Sequence, residues 1–95
     1  MYQPPKFIAK ADLVHGQYYR GRCRNSDIAR WCLQDGGPGV FLYIRRKFGE
    51  SFVDEIRHPE DERHFDVFYP FEEAVPTEEQ VVSDETLAKV RQGRR

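Results

Sequence analysis

Val40-Phe41-Leu42-Tyr43-Ile44-Arg45-Arg46-Lys47-Phe48, residues 40 to 48, is the stretch whose reading decides the fold. It is too short and too rich in β-branched and aromatic residues for an amphipathic helix, and its alternation has a period of two. Val40, Leu42, Ile44 and Phe48 fall on one side, interrupted only by Arg46, and Phe41, Tyr43, Arg45 and Lys47 on the other. Both sides are partly apolar at its start, which places the strand centrally in its sheet.

Working outward, Gln34-Asp35-Gly36-Gly37-Pro38-Gly39 precedes this strand and reads as a turn, because its glycines tolerate unusual dihedrals and Pro38 cannot donate to a ladder. Before the turn, Ile28 to Leu33 reads as a second strand, with Trp31 as its core anchor. Asn25-Ser26-Asp27 marks another tight turn, and Gln17 to Arg24 a strand with Tyr19, Gly21 and Cys23 on its core face. Gly49-Glu50 leads into Ser51 to Ile56, where Phe52, Val53 and Ile56 are available for burial, and Phe65 to Tyr69 forms the last core strand, closed by Pro70.

Short strands at spacings of roughly ten residues, joined by hairpin-sized turns, predict a mainly β chain of the small α+β kind. The expected architecture is a five- or six-stranded antiparallel SH3-like barrel or sandwich with a short C-terminal helix. The expected divisions are a disordered N-terminus over residues 1–5, a β-barrel domain over 6–71, an acidic linker over 72–82, and a helix and tail over 83–95. Ser83 is a suitable N-cap and Asp84 and Glu85 complement the helix dipole, and so short a helix either docks through Leu87 and Val90 or frays. The predicted core runs through Tyr19, Cys23, Trp31, Leu42, Ile44, Phe52, Ile56 and Val67.

Thirteen aromatic residues in 95 supply the apolar area that so small a core needs. The net charge of −1 hides a division along the chain. Residues 1–50 carry nine Lys or Arg against four Asp or Glu, a net +5, whereas residues 51–95 carry six against twelve, a net −6. Either the halves neutralise each other on folding or the basic half meets a polyanion. There is no apolar run of membrane-spanning length and no signal-like apolar stretch after Met1, so a cytoplasmic location with reduced Cys23 and Cys32 is expected, and no membrane association.

Two surfaces are candidates for function. Tyr18, Arg20, Arg22, Arg24 and Arg30, with Arg45 and Lys47 on a strand placed nearby, offer guanidinium groups for phosphates and an aromatic for base stacking, the requirements of nucleic-acid binding. The competing reading pairs these arginines with Asp54, Glu55, Asp66 or the acidic linker. The second surface is Phe65-Asp66-Val67-Phe68-Tyr69-Pro70-Phe71, which holds more aromatics than one side of a strand buries. Phe68, Tyr69 and Phe71 are therefore candidate anchors for a protein partner or a homodimer.

Catalysis has little support. Cys23 and Cys32 have no histidine close in sequence, His58-Pro59-Glu60-Asp61-Glu62-Arg63-His64 lacks a zinc-ligand spacing and reads as a solvated turn, and the glycine-rich turn lacks the Lys-Ser/Thr of a phosphate loop. The expectation is a non-catalytic binding module with no metal and no cofactor, acting on a protein partner or on itself, with nucleic-acid binding as the alternative.

Overall fold

A computed structural model describes residues 6–23, 26–35, 37, 39–61 and 67–91. Five strands form one antiparallel sheet: β1 (Tyr18–Arg22), β2 (Ile28–Cys32), β3 (Val40–Lys47), β4 (Glu50–Ile56) and β5 (Tyr69–Glu73), in the spatial order β4-β3-β2-β1-β5. A short 3-10 turn at Lys10–Asp12 precedes the sheet, and a second at Glu78–Gln80 and one helix, α1 (Asp84–Arg91), follow it. The chain is thus mainly β with one short C-terminal helix. The sheet is not closed into a barrel: β4 and β5 are its two edges, and the chain just after β4 meets the chain just before β5 through one isolated parallel bridge, Arg57 with Val67, beside which the Phe68 amide donates to the Arg57 carbonyl at 3.0 Å.

Both faces of the sheet are covered, which accounts for the apolar residues on both sides of β2 and of the first half of β3. The register aligns Tyr19 with Ala29 and Trp31 with Phe41, so these four share one face. There they pack with Leu13, Tyr43, Ile56 and Phe68, with Ile8 and Cys23 at the margin. The rings interlock: Phe41 lies 4.8 Å from Trp31 and 4.7 Å from Phe68, centroid to centroid. On the opposite face Cys32, Val40 and Leu42 pack against Val82, Leu87 and Val90, with Ile44 beside them. The C-terminal helix therefore docks through the two residues predicted to dock it, and Cys32 is sealed beneath it with its thiol 3.5 Å from the Leu87 carbonyl.

Several elements differ from the sequence expectation. Phe52 is 43% exposed and Val53 is 36% exposed, because β4 is an edge strand whose outer half has no second layer. The last strand begins at Tyr69 and runs through Pro70 to Glu73, with Phe71 as the extra residue of a bulge opposite Arg20 and Gly21. Glu72 and Glu73 thus belong to the sheet, paired with Arg20 and Tyr19, and not to a linker. Val67 and Phe68 are both buried, which breaks the alternation expected for a strand over 65–69; Phe65 and Asp66 lie outside the described residues.

The turn at 58–61 is not the solvated turn expected. His58 is fully buried, edge-on to Phe7 and Trp31 and stacked on Phe41. Its Nε2 lies 2.9 Å from the Ile8 carbonyl and its Nδ1 accepts from the Glu60 amide at 3.0 Å. A carbonyl only accepts, so the ring is the neutral tautomer with hydrogen on Nε2. His58→Phe keeps the ring contacts but leaves the Ile8 carbonyl and the Glu60 amide, both in part-buried hydrogen bonds, without their partner. Thermal and urea unfolding should report a loss of about 2–4 kcal/mol, two unsatisfied backbone groups at about 1–2 kcal/mol each.

Candidate functional site

The register divides the arginine cluster between two faces. Arg30 pairs with Leu42 and Tyr18 with Arg30, so Tyr18, Arg20, Arg30 and Leu42 point to the helix-covered face. Arg45 and Lys47 stand at odd offsets from Leu42 and emerge on the other side, while Arg46 joins the Arg30 face. A single ladder joining Arg45 and Lys47 to Tyr18, Arg20, Arg22 and Arg30 does not exist. Arg24 lies outside the described residues.

On the Arg30 face the C-terminal segment lies across the ladder. The Tyr18 hydroxyl accepts from the Val82 amide at 2.7 Å and donates to its carbonyl at 3.2 Å. Arg30 stacks over the Tyr18 ring at 5.2 Å and donates to the carbonyls of Val82 and Gly16 and to Asp84 Oδ1 at 2.8 Å. Arg20 pairs with Glu72 at 3.1 Å and Arg46 with Glu79 at 2.8 Å. On the other face Arg45 holds Asp54 at 3.1 Å. The oppositely charged halves of the chain thus meet each other. A cleft of about 310 Å³ beside Arg30, walled by His15, Gly16, Asp84, Leu87 and Ala88, presents a guanidinium already engaged by three acceptors.

The aromatic surface is also dispersed. Phe68 is fully buried under Phe41 and cannot serve as a surface anchor. Tyr69 is 42% exposed, and Phe7 rests edge-on against its ring at 5.5 Å. Phe71 is half-buried. The Ile8 amide donates to the Pro70 carbonyl at 2.6 Å, so the N-terminal lead-in covers part of this edge.

A third surface was not anticipated. β2 pairs with β3 only as far as Leu42, whereas β3 and β4 continue together to Lys47 and Glu50. The distal part of this hairpin is a two-stranded arm that overhangs the sheet. At its tip a two-residue turn, Phe48-Gly49, carries positive φ at both positions, 55° and 78°, the requirement of a type I′ turn. Gly49 meets that requirement without strain. Phe48 does not, since its Cβ crowds the backbone in the left-handed region and asparagine or glycine would be easier there.

Phe48 is nevertheless 91% exposed, with the Lys47 ammonium 5.6 Å from its ring centroid. Phe52 on one face of the arm and Val53 on the other add to the apolar surface. The signal was present in the sequence as an X-Gly pair between two alternating runs; assigning Phe48 to the strand obscured it.

Among the described residues, β4 is also an open edge over part of its length. In a hairpin closed by a two-residue turn, the flanking pair Lys47 and Glu50 exchanges its hydrogen bonds inward, so Ser51, Val53, Glu55 and Arg57 turn their backbone groups outward. The contacts agree with this phase: the Glu55 amide is capped by Asp54 Oδ1 at 2.9 Å, and the Arg57 carbonyl accepts from Phe68. Ser51 and Val53 have no such partners among the described residues.

No known protein family, curated protein or solved structure matches the chain.

Proposed function

We propose that this chain is a non-catalytic protein-binding module that engages its partner through the β3–β4 arm. The observation that carries the reading is Phe48, held at φ 55° in a conformation that disfavours a bulky side chain and left 91% exposed. Backbone strain and apolar exposure both reduce stability, and a contact made by the ring is the benefit that would retain it. The edge strand below the tip supports the same reading, since Ser51 and Val53 offer main-chain groups for an added strand and Phe52 and Val53 offer side-chain contacts on either face.

Phe48→Asn separates stability from binding. Asparagine suits the first position of this turn, so the variant should gain about 1 kcal/mol and melt roughly 4–8 °C higher. In cells, a photoreactive phenylalanine analogue at position 48 or 52 should form protein adducts, resolved by mass spectrometry, that the same analogue at exposed Val75 does not form. Equal labelling at all three positions, or none at 48 and 52, overturns the proposal.

Nucleic-acid binding through Tyr18, Arg20, Arg22 and Arg30 has less support. It would require displacing Val82 and Asp84 from Tyr18 and Arg30, together with the burial of Leu87 and Val90.

A further inference from the structure

We infer that one occupant of the arm is a second copy of this chain, joined by antiparallel pairing of β4 with β4 about a two-fold axis at Phe52; this deepens the protein-binding reading and rests on it. The argument starts from which backbone groups remain open. Of the four residues of β4 and its extension that turn outward, Arg57 is already bridged to Val67, and the Glu55 amide is capped by Asp54. Among the described residues, the open stretch is Ser51 to Val53, centred on Phe52.

A two-fold axis on Phe52 sets Ser51 opposite Val53 of the second copy and Val53 opposite its Ser51. Every open amide and carbonyl then pairs, four hydrogen bonds in all. Moving the axis to Val53 sets Val53 opposite itself but Ser51 opposite the capped Glu55 amide, and moving it to Ser51 sets Ser51 opposite itself but Val53 opposite Gly49 of the turn, so either shift leaves part of the open stretch without an open partner. Moving it by two toward Asp54 opposes Val53 to the capped Glu55 amide, and by two toward Glu50 runs the pairing into the Phe48-Gly49 turn. Only the axis on Phe52 pairs every open group of the stretch with another open group.

Side chains fit the same axis. Phe52 meets Phe52 of the second copy in the closely spaced, non-hydrogen-bonded class of cross-strand pair, where aromatic pairs contribute most. The arm carries Arg45, Arg46 and Lys47 on β3 and Glu50, Asp54 and Glu55 on β4, so two arms approach with no net charge. No proline or lysine lies between Glu50 and Ile56 to block such pairing.

One pair opposes association: Glu50 faces Asp54 of the second copy. Asp54 is partly neutralised by Arg45 and by the Tyr43 hydroxyl at 3.3 Å, and Glu50 stands across from Lys47. A single strand pair is a small contact, below the roughly 1,000 Å² of a durable interface, so the dimer is weak and transient.

Sedimentation velocity of the full chain, from micromolar to millimolar concentration, tests this. Reversible dimerisation is expected. Phe52→Lys, which opposes two ammonium groups on the axis, and Val53→Pro, which deletes an outward amide without touching the β3 ladder, should each weaken it at least tenfold, with both variants still folded by circular dichroism. Glu50→Lys should strengthen it several-fold, a gain that a merely structural role would not produce.

Under mild oxidation Phe52→Cys should form a symmetric interchain disulfide, and Val53→Cys should not. A wild-type chain monomeric at millimolar concentration overturns the inference, as does equal cross-linking at positions 52 and 53. If adducts to other proteins still form at positions 48 and 52, the binding-module reading stands without self-association; if neither is seen, both fall.

Discussion

Trp31→Ala is expected to leave the chain at the edge of unfolding at 25 °C. Trp31 is the only tryptophan, is fully buried in the central strand, and packs on Phe41 and beside His58. Truncating a buried tryptophan to alanine costs about 3–5 kcal/mol. A 95-residue chain has in total about 5–14 kcal/mol at 0.05–0.15 kcal/mol per residue. Urea unfolding followed by far-ultraviolet circular dichroism, since the variant has no tryptophan to report, should show a midpoint lowered by about a fifth or more. A loss under 1 kcal/mol would mean that the aromatic cluster is not the centre of the core.

The same site gives a finer test. An added Cβ on Gly39 would lie 2.2 Å from Cζ2 and 2.4 Å from Cη2 of the Trp31 indole, and the indole is walled in. Gly39→Ala alone should therefore destabilise the fold by about 1–3 kcal/mol. Combined with Trp31→Phe, which removes that part of the ring, it should cost less than the sum of the two single changes.

Ending the chain at Pro76 is the second change of large effect. It removes Val82, Leu87 and Val90, each buried and each contributing about 1.5–3 kcal/mol, so roughly 5–9 kcal/mol of apolar burial is lost, as an upper estimate. It also removes the acceptors of Tyr18 and Arg30. The truncated chain should lose cooperative unfolding or self-associate through the uncovered Cys32, Val40 and Leu42. Cys32 supplies the readout in the intact chain: alkylation of its thiol should be slow and should accelerate with Leu87→Ala, which loosens the helix without touching the sheet. Wild-type Cys32 reacting as fast as a solvated thiol would show that the helix does not stay docked.

This second case shows where reading by residue pattern stops. Alternation along β1, β2 and β3 revealed the strands, the turns between them and Trp31 as the anchor, because pleating sends neighbouring side chains to opposite faces. Ser83, Asp84, Leu87 and Val90 likewise specified a capped helix with one apolar side. That the helix covers the Tyr18 and Arg30 face depends on a contact between residues 52 or more positions apart, and nothing local encodes it.

The candidate site divides in the same way. The aromatic and basic residues were legible as types, but their grouping was not. Arg45 and Arg46 are neighbours in the chain and lie on opposite faces, and Phe68 and Tyr69 are neighbours of which one is buried and the other exposed. Pairing register decides the first, and the bridge that draws Phe68 under Phe41 decides the second.

By itself, then, the sequence determined that this is a strand-rich chain of alternating strands and glycine-marked turns, with an aromatic core and a helix able to dock, since these follow from backbone geometry and from short-range patterns. The tertiary structure decided which face each strand shows, which charges neutralise one another, and that β3 and β4 outrun β2. Register and sheet order set all three, and both arise only when residues far apart in the chain compete for the same backbone partners.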